Sequence, residues 1–309
     1  MNNLINKMRR KCFFEGWYFK QQAGNRIICF IPGINTDSNG NSHAFIQIIM
    51  KDNSYAIPFP INDFRIDRGK MIIRIGNNIF SRRGIQVDIN TTEINIKGIL
   101  QYGKTVPLRY TIMGYFKYFP WMECKHEIIS MEHKVKGTLI CNGIKFTFHK
   151  GTGYIEKDMG YSFPKSYLWI QCNHFLGERC SIFVSVADIP YHGIFFKGCI
   201  CAIVYKGKEY RLATYLGVKI LKSSKSGLCL KQGNYLFKIH INESGSTRFR
   251  VADTKRSQEF SQKLFAPVMG DMSRTIKEQH LTTARFLLYH KRELIFDLAS
   301  REVSFEYEE

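Results

Sequence analysis

Glu156 and Asp158 stand two residues apart in the glycine-bounded stretch Gly151-Thr-Gly-Tyr-Ile-Glu-Lys-Asp-Met-Gly160, at the middle of the chain. A carboxyl group that donates a proton to a base as weak as an alkene must be neutral at working pH, which burial or a second carboxylate nearby arranges. On an extended backbone, residues two apart face one side, so one of these acids can hold the other protonated. A second reading stays open, in which Asp158 caps the turn at Gly160 while Glu156 pairs with Lys157 or Arg274. An aromatic strand, Tyr167-Leu-Trp-Ile-Gln-Cys-Asn-His-Phe175, follows closely. Trp17, Tyr18, Tyr154, Trp169 and Phe175 are candidates to line an aromatic pocket, core packing being the plainer use of Trp17 and Phe175. Asn173 and His174 would orient a phenol or satisfy backbone groups. Glu15 is a third acid of interest. Arg274 and Glu278, four apart, read as a structural ion pair on either a helix or a strand.

Metal chemistry is not expected. The segment Cys124-Lys-His-Glu-Ile-Ile-Ser-Met-Glu-His133 gathers His126, Glu127, Glu132 and His133 without the H-E-x-x-H spacing. If it is a strand rather than a helix, His126 and Glu127 lie on opposite faces. The nine cysteines are odd in number and include no C-x-x-C pair, so they read as buried reduced thiols of a cytosolic protein rather than zinc ligands or disulfides.

The elements that must position these residues are strands. From Phe13 onward, short segments of β composition (Arg26–Pro32, His43–Met50, Tyr55–Phe59 and so on to Leu100) are separated by Gly, Asn and Asp. That spacing, with no helical period, predicts an all-β sandwich or barrel. Asn142-Gly143 and Lys206-Gly207 mark hairpin turns. Strands are also expected near 210–220, 228–230, 235–241 and 249–251, with a short helix over Thr254–Leu264. The 309-residue length and a loose echo between the stretches around Trp17 and Trp169 suggest two modules, 1–150 and 151–309, with the acids at their junction.

Of the residues, 44% are apolar and 23% charged, with a net charge of +19. This excludes a disordered chain. Basic clusters occur at 7–11 and 219–225, but most Lys and Arg alternate with apolar residues, as on the wet face of strands. Nucleic acid is therefore not the expected partner, whereas peripheral contact with an anionic membrane surface fits the charge. The N-terminus carries no apolar signal core and no run is long enough to span a bilayer, so the expected location is cytoplasmic.

At Phe13-Phe-Glu-Gly-Trp-Tyr-Phe-Lys20 and Gly153-Tyr-Ile-Glu-Lys-Asp-Met-Gly-Tyr-Ser-Phe-Pro164 the chain resembles the tocopherol cyclase family. Further family-like pieces are His43-Ala-Phe-Ile-Gln47, Trp169-Ile-Gln-Cys-Asn-His-Phe175, Ala213-Thr-Tyr-Leu-Gly217 and Ala266-Pro-Val-Met-Gly-Asp-Met-Ser-Arg274. The resemblance implies two lipocalin-like antiparallel β-modules and an apolar, prenylated small-molecule ligand. It also implies ring closure in which an acid protonates a prenyl double bond and a phenol oxygen captures the cation, without cofactor or metal. Glu156 and Asp158 would be donor and partner. Met159 stands where the family reads Trp, and if it faced the cation an indole's cation–π attraction of roughly 0.5–2 kcal/mol would be missing. A non-catalytic isoprenoid carrier is the rival reading of the same features.

Overall fold

The computed structural model describes residues 12–51, 53–191, 194–242 and 260–309, and among them there is no α-helix. The first sheet contains β1 (Phe13–Ala23), β2 (Arg26–Thr36), β3 (Ser42–Met50), β4 (Ser54–Pro60), β5 (Phe64–Asp67) and β6 (Ile72–Ile75). It continues with β7 (Asn78–Ser81), β8 (Gly84–Asn90), β9 (Asn95–Tyr102), β10 (Cys124–Cys141), β11 (Ile144–Thr147) and β12 (Gly151–Gly160). The second sheet takes β13 (Tyr167–Cys172), β14 (Cys180–Tyr191), β15 (Ile194–Tyr205), β16 (Lys208–Ala213) and β17 (Lys219–Ser224). Its remaining strands are β18 (Gly227–Gln232), β19 (Tyr235–Asn242), β20 (Phe260–Val268), β21 (Asp271–His290) and β22 (Glu293–Glu308).

Neighbouring strands pair antiparallel. The first sheet runs β4-β3-β2-β1-β12-β10-β9-β8-β7-β6-β5, and the second β16-β15-β14-β13-β22-β21-β19-β18-β17. In each, a long-range pairing, β1 with β12 and β13 with β22, brings distant parts of the chain together, and a second pairing, β10 with β12 and β19 with β21, skips one strand. The fold is all-β with two lipocalin-like antiparallel sheets. No helix among the described residues is long and apolar enough to cross a membrane.

Alternation sets the cores. In β8, Ile85, Val87 and Ile89 point inward while Gln86 and Asn90 face water; these join Trp17, Phe19, Phe30, Ile46, Phe80 and Ile155 in the core of the first sheet. Leu168, Ile170, Val184, Phe237, Phe286 and Phe305 build that of the second. The strands around β1 depart from simple amphipathicity. Nine consecutive residues of β1, Phe14 to Gln22, are buried, so its second face is also out of water, and that face carries polar groups.

Several expectations change. The chain forms two compact units, the first from the described residues of Met1–Met113, Phe119–Phe163 and Lys263–Ile276, the second from those of Gly114–Tyr118, Pro164–Gln262 and Lys277–Glu309. A single division after residue 150 does not describe this, because β12 is paired on both sides within the first sheet. The segment from Cys124, whose sequence leaves helix and polar strand both open, is strand, the start of β10. The strand expected at 210–220 is broken by a 3-10 turn over Thr214–Leu216 that ends on Gly217, whose φ is 79°. The helix expected over 254–264 is strand from Phe260 on; its earlier part, the strand at 249–251 and the basic cluster at 7–11 lie outside the described residues.

Candidate functional site

β12 has two chemically different sides, fixed by its register with both neighbours. Tyr18 and Gly16 of β1 lie opposite Glu156 and Asp158; on the other flank, Ile128 and His126 of β10 lie opposite the same two acids. Ile155 belongs to the apolar core, so Tyr154, Glu156 and Asp158 share the opposite face, as their spacing requires.

On that face Tyr154 and Glu156 are buried, and the Tyr154 hydroxyl donates to Glu156 Oε2 at 2.6 Å. Burial, and then the neighbouring Glu156, push the Tyr154 phenol well above its usual range, so it remains a donor. The Tyr18 ring meets Tyr154 edge-on at 6.4 Å, and its hydroxyl lies 3.1 Å from Cys29 Sγ. Asp158 has different company. His126 Nδ1 is in ion-pair contact with Asp158 Oδ1, and the Cys124 thiol donates to the same oxygen at 3.7 Å. Burial, followed by Asp158, raises the Cys124 thiol well above its ordinary value. The two acids thus share a face but have separate partners, Tyr154 for Glu156 and His126 with Cys124 for Asp158. Asp158 is not simply a turn cap, since β12 continues in register through Gly160.

The core-facing side of β12 holds residues that sequence reasoning assigned to the pocket. Trp17 is packed in the apolar core, stacked on Phe64 at 6.4 Å, because alternation along β1 turns it away from Tyr18. Met159 has the parity of Ile155, so the position where the resemblance implies Trp lies on the side away from the acids. Lys157 does not serve Glu156. Its Nζ is 2.7 Å from Glu15 Oε1 and 5.5 Å from the Trp17 ring. Arg68 grips Glu15 with two nitrogens, at 2.5 and 2.6 Å. Burial would raise the Glu15 carboxyl, but Arg68 and Lys157 outweigh it and hold the group below its usual value. Glu15 is therefore a structural carboxylate, not a proton donor. Glu15→Gln is expected to lower unfolding free energy by about 2 kcal/mol in urea denaturation, less than a fully buried pair would lose because Arg68 is largely exposed.

Gly153 of β12 also serves packing. A Cβ there would stand 2.2 Å from His133 Nε2, and the imidazole is held by Ser130 Oγ at 3.1 Å and the Tyr102 ring at 4.4 Å. With no room for the ring to retreat, Gly153→Ala is expected to cost about 2 kcal/mol or more, read as a lowered melting temperature.

The remaining candidates, apart from Arg274, belong to the second unit. Phe175 is in its apolar core. Trp169, on β13, falls on the face away from that core with Tyr167, whose hydroxyl donates to Glu306 Oε2 at 2.6 Å. Asn173 is buried, and His174 Nδ1 is paired with Glu302. Glu278 is fully buried, 3.4 Å from His280 Nδ1, which also meets Ser304 Oγ at 3.0 Å. In register Glu278 lies opposite Glu306. Arg274 lies on β21 in the part assigned to the first unit. Sequence reasoning missed His280, Ser304, Glu306 and the role of Cys124. The one available signal was the Cys-x-His alternation at 124–126; their cross-strand partners come from pairings that are distant in sequence.

The family model described as tocopherol cyclase-like matches residues 79–213, a segment that takes in β12. The protein described as "Probable tocopherol cyclase, chloroplastic" of Oryza sativa subsp. japonica is 24% identical over 129 residues, covering 40% of this chain and 27% of its own length. The chloroplastic tocopherol cyclase of Zea mays is 23% identical over 296 residues, covering 76% of this chain and 62% of its own. The chain thus spans less than two thirds of either relative. Among solved structures, kievitone hydratase from Nectria haematococca superposes with a TM-score of 0.52 at 13% identity, covering 96% of this chain and 88% of that one. CghA, solved with Sch210972, gives 0.55 at 10% identity, with 96% and 89% covered. At such identities the likeness is one of fold.

Proposed function

Because the chain is tocopherol cyclase-like in sequence, we propose that it is an enzyme of the cyclase or hydratase type acting on an apolar, prenylated substrate. Glu156 protonates the prenyl double bond. The new C–H bond leaves a tertiary cation, which the substrate's own phenol oxygen captures to close a ring. The phenolic proton then leaves to a carboxylate, so the reaction is an isomerisation and consumes nothing. Capture by water instead of the phenol would give a hydratase from the same first step.

The observation that carries this reading is the buried Tyr154–Glu156 hydrogen bond on the face of β12 that the apolar core does not use. Burial favours the neutral carboxyl that a general acid needs, and the Tyr154 phenol, whose hydrogen bond by itself favours the carboxylate, fixes the group in place. Tyr154 positions the carboxyl and Tyr18 buttresses Tyr154, while Asp158 with His126 supplies a second acid–base pair. Incubation of the purified chain with a prenylated hydroquinone, followed by chromatography for the chroman or the hydrated alcohol, tests the proposal. Binding without any product would instead identify a carrier.

A further inference from the structure

Asp158 faces two groups that are metal ligands by chemical type. Cys124 and His126 are two apart on β10 and so share a face, and the register sets His126 opposite Asp158 on β12. The thiol sulfur, one imidazole nitrogen and one carboxylate oxygen lie within 4.8 Å of one another. Two of the three spacings are resolved directly. The sulfur is 3.7 Å from Asp158 Oδ1, close to the separation of two ligands on one tetrahedral ion, and His126 Nδ1 touches the same carboxylate. The cysteine is buried, whereas the His126 and Asp158 side chains keep 18% and 13% of their exposure, so an ion has both a dry anchor and an open side.

We propose that Cys124, His126 and Asp158 form a binding site for a zinc-class divalent cation, three protein ligands leaving one coordination position open. A sulfur, nitrogen and oxygen donor set suits a borderline-soft ion of tetrahedral preference rather than calcium or magnesium, which take oxygen alone. The ion enters where His126 and Asp158 now touch, and side-chain rotation is enough to part them. The strands hold the ligands by register rather than by a loop, so the β-carbons need not move. This inference goes beyond the proposed reaction, and because a bound ion would occupy the Asp158–His126 pair, the metal-loaded and metal-free proteins are distinct states. A dication beside β12 also works against a neutral acid at Glu156, so turnover should be assayed on chelator-treated protein.

The test is cobalt(II) titration of the full chain after chelator treatment, followed in the near ultraviolet, with zinc stoichiometry by elemental analysis of dialysed protein. One equivalent of metal and a thiolate-to-cobalt charge-transfer band are expected. Cys124→Ser should remove the band, and His126→Gln or Asp158→Asn should weaken binding by about tenfold or more. Glu127→Gln, on the other face of β10, should bind as the parent does. Circular dichroism confirms that each variant is folded, and two ligand variants besides Cys124→Ser keep the test decisive if one is not. Absence of a thiolate band in the parent, or a band that survives Cys124→Ser, overturns the proposal. Failure here leaves the Glu156 reaction intact, since the readout is metal occupancy and not product.

Discussion

Glu156→Gln is expected to abolish product formation from a prenylated hydroquinone, lowering the rate by about a hundredfold or more, while the melting temperature changes little. The amide keeps the shape of the carboxyl and can still accept from Tyr154, but it has no proton of suitable acidity to give. Tyr154→Phe should have a smaller effect, because it removes the hydrogen bond that orients the acid and not the acid itself. The order matters more than either value: Glu156 below Tyr154, and both far below Glu127→Gln, which lies on the exposed side of β10. A variant Glu156→Gln that turns over at the parent rate removes the acid from the mechanism. Fold-level likeness alone would not distinguish these outcomes, because one scaffold hosts many reactions.

A second large effect is expected in acid. Burial depresses His133 from 6.5 to about 4, and the ring is nearly inaccessible, so the folded protein keeps it neutral where the unfolded chain would protonate it. Between those two values the unfolded state binds more protons, and stability must fall as pH falls from 6.5 towards 4. The difference corresponds to about 3 kcal/mol. Below pH 4 both states are protonated and this contribution levels off. The Glu15 carboxylate adds its own loss lower down, since its folded value is depressed and its ion pairs vanish only as pH falls through that value. Urea denaturation at a series of pH values separates the two. His133→Gln should be less stable than the parent at pH 7 but show a flatter profile between 6.5 and 4, and an unchanged slope there would rule out His133 as the source.

Much of the fold was legible because it is local. The β-rich run at His43–Met50, the alternation at Ile85–Ile89 and the Asn142-Gly143 turn each state their conformation within a few residues, and in the turn both residues take positive φ, 48° and 79°. The C-terminal hairpin was not legible. β21 and β22 are joined through Lys291 and Arg292, at φ 51° and 72°, positions where Gly or Asn would have signalled the turn. Without that hairpin Glu278 could be related only to Arg274, four residues away, and not to Glu306, its cross-strand neighbour.

The candidate site divides in the same way. That Glu156 and Asp158 share a face followed from a spacing of two. What each carboxyl touches depended on which strands flank β12 and in what register, and a slip of one residue would exchange every partner. The residues beside His126 in sequence offer no metal-ligand spacing, and its companion is Asp158, from a strand beyond a hairpin. Trp17, next to Tyr18, is on the other side of the sheet, in the core packing that is the plainer reading of it.

The two-sided character of β12 bears on how such a chain can change over time. Odd positions serve the core and the Glu15 ion cluster, while even positions hold Tyr154, Glu156 and Asp158, so a substitution on one side leaves the partners of the other in place. A residue such as Met159 can drift with packing and leave the acids untouched. Conversely, substitutions at His126 and Asp158, whose side chains are partly exposed, should cost less folded protein than substitutions at the buried Tyr18 and Tyr154.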